Sequence, residues 1–414
     1  MENILSTLNE SLPTSALVLN LVLLLILFRK LSKRSIIRPV ILVPIFLIAY
    51  QIIGTFNLLV IQAVVGWYEG IQILRANRIT FISSLLLLVV IIFGSVEVAI
   101  RKRGRLFNRA SLLRWIVLGT VVGTLLNIPN FLNIGGLPIF WSNLTGSERF
   151  DLAERMWFSK FLIINSSLLT LNIIYFANSK KFNLVNAVCF VVNLTIAASI
   201  GSRHLVFLPL LIGGVQLLFT KKVSSKIVIG IFILCAILIV LFGILRGDPF
   251  DPEVSSGLVA FGGEYRDFLL LKEYFLFTDY YYGATLVPVV TNAIPKQVFS
   301  AVNLKKDDFA IYSAYVAQDV WGAQTGIRTG IWGELFMNWG DFGIVIGFAL
   351  FGLFLAKLDK WLQIYQSSEP NMLLLSLVYT LALFSVVGSW ATIGDTLEVY
   401  GVLYLAFAKL IKHS

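Results

Sequence analysis

The sequence predicts an all-α polytopic membrane protein. Apolar runs long enough to span a bilayer, about 20 residues each, recur along the whole chain. Its 414 residues are 57% hydrophobic and only 14% charged, against roughly 45–50% apolar and about 25% charged in a soluble domain. The basic residues fall where the apolar runs end, as the positive-inside rule requires. The formal charge of +10 therefore reflects membrane topology, and no basic stripe suggests a nucleic-acid partner.

The first run, Ala16 to Phe28, follows Glu2 and Glu10 and precedes Arg29, Lys30, Lys33 and Arg34. A signal peptide carries its positive charge before the apolar stretch, so this run reads as an uncleaved span with its N-terminus outside. About eleven spans follow from the hydropathy pattern. They cover residues 12–28, 39–65, 79–100, 114–134, 157–177, 183–200, 204–220, 227–245, 340–356, 371–389 and 395–411. Alternate connectors hold most of the 33 lysines and arginines, in short segments such as Arg29 to Arg38, Arg101 to Arg114 and Lys221 to Lys226. Those connectors are expected in the cytoplasm, with the C-terminus. The chain divides into spans 1–8 over 1–245, a large extracytoplasmic loop over 246–339, and spans 9–11 over 340–414.

Four segments are expected outside: Gly66–Arg78, Gly135–Met156, the turn Gly201–Ser202–Arg203, and the large loop. The loop opens on a turn signal, Arg246–Gly247–Asp248–Pro249. Glu264 to Phe277 is amphipathic at helical spacing, with Phe268, Leu269, Leu271, Phe275 and Leu276 on its apolar side, and suits a membrane surface. Tyr280, Tyr281 and Tyr282 fit either an interfacial aromatic belt or stacking on a sugar. Cys189 and Cys235 lie in apolar runs, and with His204 and His413 they form no zinc pattern.

Arg203 stands between two apolar runs separated by almost nothing. A charge near the bilayer is costly, so it is either a snorkelling arginine or one held to bind an anion. Arg328 opens a glycine-rich stretch that continues through Gly333–Glu334–Leu335–Phe336–Met337–Asn338–Trp339–Gly340–Asp341–Phe342–Gly343. Glu334, Asn338 and Asp341 recur at i, i+4 and i+7, which places them on one face of a helix. Arg75, Arg78, Arg149, Arg155, Arg246 and Arg266 add outward charge. Arginine carries five donors in a rigid fork that matches phosphate oxygens.

These features together resemble the Wzy-type polymerases of O-antigen and capsular polysaccharide, the oligosaccharide repeat-unit polymerases. Gly201–Ser202–Arg203 resembles that family's Gly/Ser–Arg turn, and ten residues separate Arg203 from Gly214, an arginine–glycine spacing found in some members. The late outer loop passes through Tyr282–Gly283 and Ile294–Pro295–Lys296. It ends in a segment similar to the family's Gly-Glu-aromatic-Asn-aromatic-Gly signature. One departure stands out: a second arginine–glycine repeat from Arg328 would need glycine at 339, where the chain has Trp339.

The resemblance implies a GT-C-like fold in the bacterial inner membrane. It implies transfer of a growing glycan from undecaprenyl pyrophosphate to the non-reducing end of a lipid-linked repeat unit, inverting and without a cofactor or metal. Implied partners are the lipid-linked oligosaccharide, membrane lipid and a Wzz-type chain-length regulator. The chemistry needs cations for the leaving pyrophosphate and a base for the acceptor hydroxyl. Arg203 and Arg328 are assigned the pyrophosphate, with Arg246 or Arg266 as a third contact. Glu334 is the leading base, with Asp319 or Glu264 in reserve. His204 is either a second base or an interfacial histidine. Tyr281, Tyr282 and Asn338 are assigned to substrate, with Tyr280 and Trp321 as further stacking surfaces. The alternatives are an O-antigen ligase, which would share the outer arginines, and a lipid-linked oligosaccharide transporter or flippase. A polyprenyl-phosphate-sugar transferase fits poorly, because the first outer loop offers Glu69 without a second carboxylate.

Overall fold

The computed structural model describes residues 2–30, 38–65, 70–96, 108–136, 155, 156, 158–179, 182–199, 203–220, 265, 268, 269, 271, 272, 280–287, 330–365, 369–386, 388 and 390–413. Among them are ten α-helices and no strand. In chain order they are α1 (Glu2–Lys30), α2 (Pro39–Val65), α3 (Gly70–Gly94), α4 (Arg109–Asn133) and α5 (Leu162–Asn178). There follow α6 (Leu184–Ala198), α7 (Arg203–Thr220), α8 (Gly330–Tyr365), α9 (Glu369–Phe384) and α10 (Trp390–His413).

Six of these helices are long and apolar enough to cross a bilayer: α1 to α4, α8, and α5 with the short 3₁₀ turn Ser159–Phe161 before it. The other four carry apolar stretches of 10–17 residues. The chain is therefore an α-helical polytopic membrane protein. The expected span 227–245 lies outside the described residues. Three helices begin well before the expected spans: α1 at Glu2, α3 at Gly70, so that Arg75 and Arg78 are helical, and α8 at Gly330.

Compact packing divides the chain into two units. One comprises Met1–Val98, Val254–Trp361 and Leu381–Thr396; the other comprises Ala99–Glu253, Leu362–Thr380 and Leu397–Ser414.

In the first unit α1 packs chiefly on α3, and Asn20 of α1 donates through Nδ2 to the Phe81 carbonyl at 3.2 Å. Arg38, just before α2, is buried, and so is Asp359 near the far end of α8. The Arg38 Nε donates to Asp359 Oδ1 at 2.8 Å, and Nη2 grips Oδ2. This two-pronged pair satisfies a buried carboxylate that would otherwise be expensive.

The second unit is inverted relative to a soluble bundle. On α4 the apolar Leu118, Val121, Val122 and Leu125 are exposed, while Thr120, Asn127 and Asn130 are buried. Outward apolar and inward polar faces are what a lipid environment selects, since interhelical hydrogen bonds there take over part of the role of hydrophobic burial.

The inward side chains form an amide ladder across α4, α5 and α6. Asn130 Nδ2 donates to Asn127 Oδ1, Asn127 Nδ2 to Asn165 Oδ1, Asn165 Nδ2 to Asn193 Oδ1, Asn193 Nδ2 to Asn172 Oδ1, and Asn172 Nδ2 to Asn186 Oδ1. The distances run from 2.8 Å for the last of these to 3.1 Å for the first. Asn193 also donates to Thr120 Oγ1 at 3.0 Å. Replacing Asn193 by leucine removes three of these links at once. At about 0.6 kcal/mol each, up to about 1.7, the expected loss is roughly 2–5 kcal/mol. A fall in the thermal unfolding midpoint of the detergent-solubilised protein, followed by size-exclusion fluorescence, is the check.

The partner of α7 follows from one proline. Pro209 has no N–H, so the carbonyl four residues earlier loses its helical donor. That carbonyl belongs to Leu205, and the Ser166 hydroxyl of α5 donates to it. One turn on, Thr170 Oγ1 donates to the Pro209 carbonyl at 2.9 Å. The same two hydroxyls meet Tyr400 and Tyr404 of α10. A broken helix inside a bilayer is tolerated when neighbouring Ser and Thr side chains satisfy the freed groups, and α5 supplies both.

Candidate functional site

Helix α8 is two helices joined at Gly340, where φ is 63° and ψ is −154°. This conformation is essentially restricted to glycine. The first ten residues, from Gly330, carry the Glu–Asn motif; the rest, from Asp341, forms the long apolar part. The expectation of one polar face through Glu334, Asn338 and Asp341 holds for the first two only. Asp341 follows the break, is half exposed, and pairs with Lys272 Nζ at 2.7 Å. Helical spacing projects residues onto one face only while the helix stays regular, and Gly340 ends the regularity.

Glu334 and Asn338 are buried, 4% and 0% exposed. Residues 280–287 cover them. Backbone hydrogen bonds dock this segment on the end of the short helix: Tyr281 N–H donates to the Met337 carbonyl at 2.8 Å and Tyr282 N–H to the Asn338 carbonyl at 3.1 Å. They satisfy carbonyls that a helix end leaves open. Tyr282 and Gly283 then take positive φ angles of 48° and 94°, turning the chain into the 3₁₀ turn Ala284–Leu286. The turn brings Thr285 against the motif. Thr285 Oγ1 donates to Glu334 Oε2 at 2.8 Å, Asn338 Nδ2 donates to Thr285 Oγ1 at 2.6 Å, and Gly283 N–H donates to Asn338 Oδ1 at 2.7 Å.

A second layer of aromatic side chains backs the short helix. Tyr265 packs edge-on against Trp332 at 4.9 Å, and Phe268 against Phe336 at 5.7 Å. Tyr265, Phe268 and Leu271 are at most 1% exposed. The described part of the amphipathic stretch 264–277 thus buries its apolar side chains against protein, where a membrane-surface position was expected. Its partners, Trp332 and Phe336, lie more than sixty residues later, beyond the reach of local periodicity. The Tyr265 hydroxyl donates to Asn77 Oδ1 at 2.7 Å and also meets Thr80 on α3. Burial raises its pKa against the lowering effect of the Thr80 contact, so it stays a neutral donor.

Of the residues assigned from the sequence, Glu334, Asn338, Tyr281 and Tyr282 come together here. Asn338 contacts protein groups on both sides of its amide, and Tyr282 is exposed, 74%. Tyr280 packs edge-on to Phe336 and against Gly340, which makes it part of the helix break. His204 belongs to the other unit, exposed in the first turn of α7, where Arg203 is the first residue. Arg155, in that unit, and Arg78, in α3 of the first, are also exposed. Arg149, Arg246, Arg266, Arg328, Glu264, Asp319 and Trp321 lie outside the described residues. Among the described residues no cluster of three or more His, Cys, Asp or Glu is placed to hold a metal.

Thr285 was missed by sequence reasoning. Its one local signal is Tyr282–Gly283, a turn pair two residues before it, which does not reveal that the turn closes on Glu334. The chain matches no known family model, no curated protein and no solved structure.

Proposed function

We propose that the protein is a glycosyltransferase of the repeat-unit polysaccharide polymerase type, working on the extracytoplasmic side of a bacterial cytoplasmic membrane. In this reading the N-terminus is outside, the C-terminus is cytoplasmic, about eleven helices span the bilayer, and residues 246–339 form the outer loop. The observation that carries the reading is the directed hydrogen bonding of the Glu334 carboxylate within the Gly333-to-Gly340 motif. A buried carboxylate whose oxygen receives a fixed hydroxyl proton is an oriented proton acceptor.

The reaction then runs as follows. A hydroxyl oxygen of the lipid-linked acceptor repeat unit attacks the anomeric carbon of the growing glycan. The bond from that carbon to the pyrophosphate oxygen breaks, and undecaprenyl pyrophosphate departs with the bonding electrons. Glu334 takes the hydroxyl proton. Arg203 and Arg328, with Arg246 or Arg266, offset the charge gathering on the pyrophosphate. His204 is the second candidate base. The exposed Tyr282 ring, next to half-buried Tyr281, offers a stacking surface for a sugar. A Wzz-type regulator is the proposed protein partner.

Complementation tests this. A strain lacking the protein should accumulate single-repeat glycan, and the wild-type chain should restore polymer. The Glu334→Gln variant should polymerise about 10²–10⁴-fold more slowly, and Arg203→Ala should give no polymer while remaining in the membrane. Long polymer not joined to its final acceptor in the deletion strain would identify a ligase. Full-length polymer made by Glu334→Gln would remove Glu334 as the base. Elongation of lipid-linked repeats by purified protein in detergent would exclude a pure flippase.

A further inference from the structure

We propose that Thr285 is the positioning residue for Glu334, fixing one carboxylate oxygen as a permanent acceptor and favouring the ionised form. This rests on the reading of Glu334 as the proton acceptor. The orientation of the Asn338 amide can be deduced. A backbone N–H only donates and a carbonyl only accepts. Gly283 N–H therefore faces Asn338 Oδ1, at 2.7 Å, and the Glu334 carbonyl faces Asn338 Nδ2, also at 2.7 Å. The two constraints agree on one orientation of the Asn338 amide. Asn338 Nδ2 donates into the Thr285 hydroxyl at 2.6 Å, and that hydroxyl gives its one proton to Glu334 Oε2 at 2.8 Å.

The relay thus runs one way: Gly283 N–H to Asn338, Asn338 N–H to Thr285, and Thr285 O–H to Glu334. Hydrogen bonds donated to the charged form of a carboxyl favour that form. A proton acceptor gains from this in two ways: the bond favours its ionised form against the desolvation of burial, and it sets the carboxylate plane. The backbone is strained to achieve it. Tyr282, at φ 48°, is the one residue other than glycine with positive φ among the described residues. Such a conformation is unfavourable for a side chain with a Cβ and persists where surrounding contacts impose it. Here the bonds from Tyr281 and Tyr282 N–H to the Met337 and Asn338 carbonyls impose it. They deliver Thr285, 6% exposed, to the carboxylate.

The test compares Thr285→Val, which keeps the shape and removes the hydroxyl, with Thr285→Ser, which keeps the hydroxyl. Dicyclohexylcarbodiimide, which modifies carboxyl groups in their protonated form, is applied to the full-length protein in detergent, and the peptide containing Glu334 is quantified by mass spectrometry. Thr285→Val should label at Glu334 at least threefold faster than wild type, and Thr285→Ser at the wild-type rate. In the polymerisation assay Thr285→Val should lower kcat by roughly tenfold or more with KM within about twofold, and Thr285→Ser should recover most of the loss. Equal labelling of Glu334 in Thr285→Val and wild type overturns the proposal, whatever the activity. If Glu334→Gln polymerises normally while the labelling difference stands, the contact is upheld and the base assignment fails instead.

Discussion

Replacing Gly340 by alanine should destabilise the protein by about 2–6 kcal/mol, by two separable routes. The backbone at φ 63°, ψ −154° costs a residue with a Cβ about 1–3 kcal/mol. The added Cβ would also lie 2.7 Å from the Tyr280 hydroxyl oxygen and 2.8 Å from its Cζ, an overpacking worth about 1–3 kcal/mol more. Combining Gly340→Ala with Tyr280→Ala should relieve the second part and leave the first. Unfolding midpoints of the two variants in detergent, each compared with its own Gly340 parent, measure the parts. Should alanine at 340 instead be accommodated by straightening α8, the carbonyls of Met337 and Asn338 would re-enter the helical ladder. Residues 280–287 would then lose their dock. In that case stability would change little and the Glu334–Thr285 contact would be lost, which the carbodiimide assay detects.

Asp359→Ala should cost about 3–5 kcal/mol, because it leaves the buried Arg38 guanidinium without its anion. The pair is two-pronged, with Arg38 8% and Asp359 1% exposed. Breaking such a pair from either side removes the attraction and keeps the desolvation of the surviving charge. Arg38→Met with Asp359→Leu removes both charges and fills similar volume, so the double variant should recover most of the loss; buried pairs replaced by apolar residues are often neutral or better. Expression of folded protein and the unfolding midpoint give the readout. A double variant no better than Asp359→Ala would mean that packing of the two stems, and not the charge, holds this contact.

The helical membrane class and most helix positions were legible in the chain's hydropathy. Span length and side-chain hydropathy are local properties, so α2 was legible to the residue at both ends, and α4 to α7 within a few residues. The sequence also determined that Glu334 and Asn338 share a face, since four residues make just over one helical turn. Where local regularity fails, the reading fails with it. Asp341 left the shared face because Gly340 is a backbone break, and a glycine in a sequence allows a break without requiring one.

Which polar groups meet depends on how the helices pack. Thr285 reaches Glu334 across 49 residues, and Arg38 reaches Asp359 across 321. Arg38 had been grouped with the basic residues of a connector, yet it is buried against an acid at the other end of the chain. The asparagines of α4, α5 and α6 read as scattered polar residues within apolar runs, and they become one ladder when the three helices pack. The physical reason is common to all three cases. Burial from water and lipid obliges each polar group to find a partner, but the choice of partner depends on which helices lie side by side. That is settled by packing over the whole chain, which no local spacing encodes.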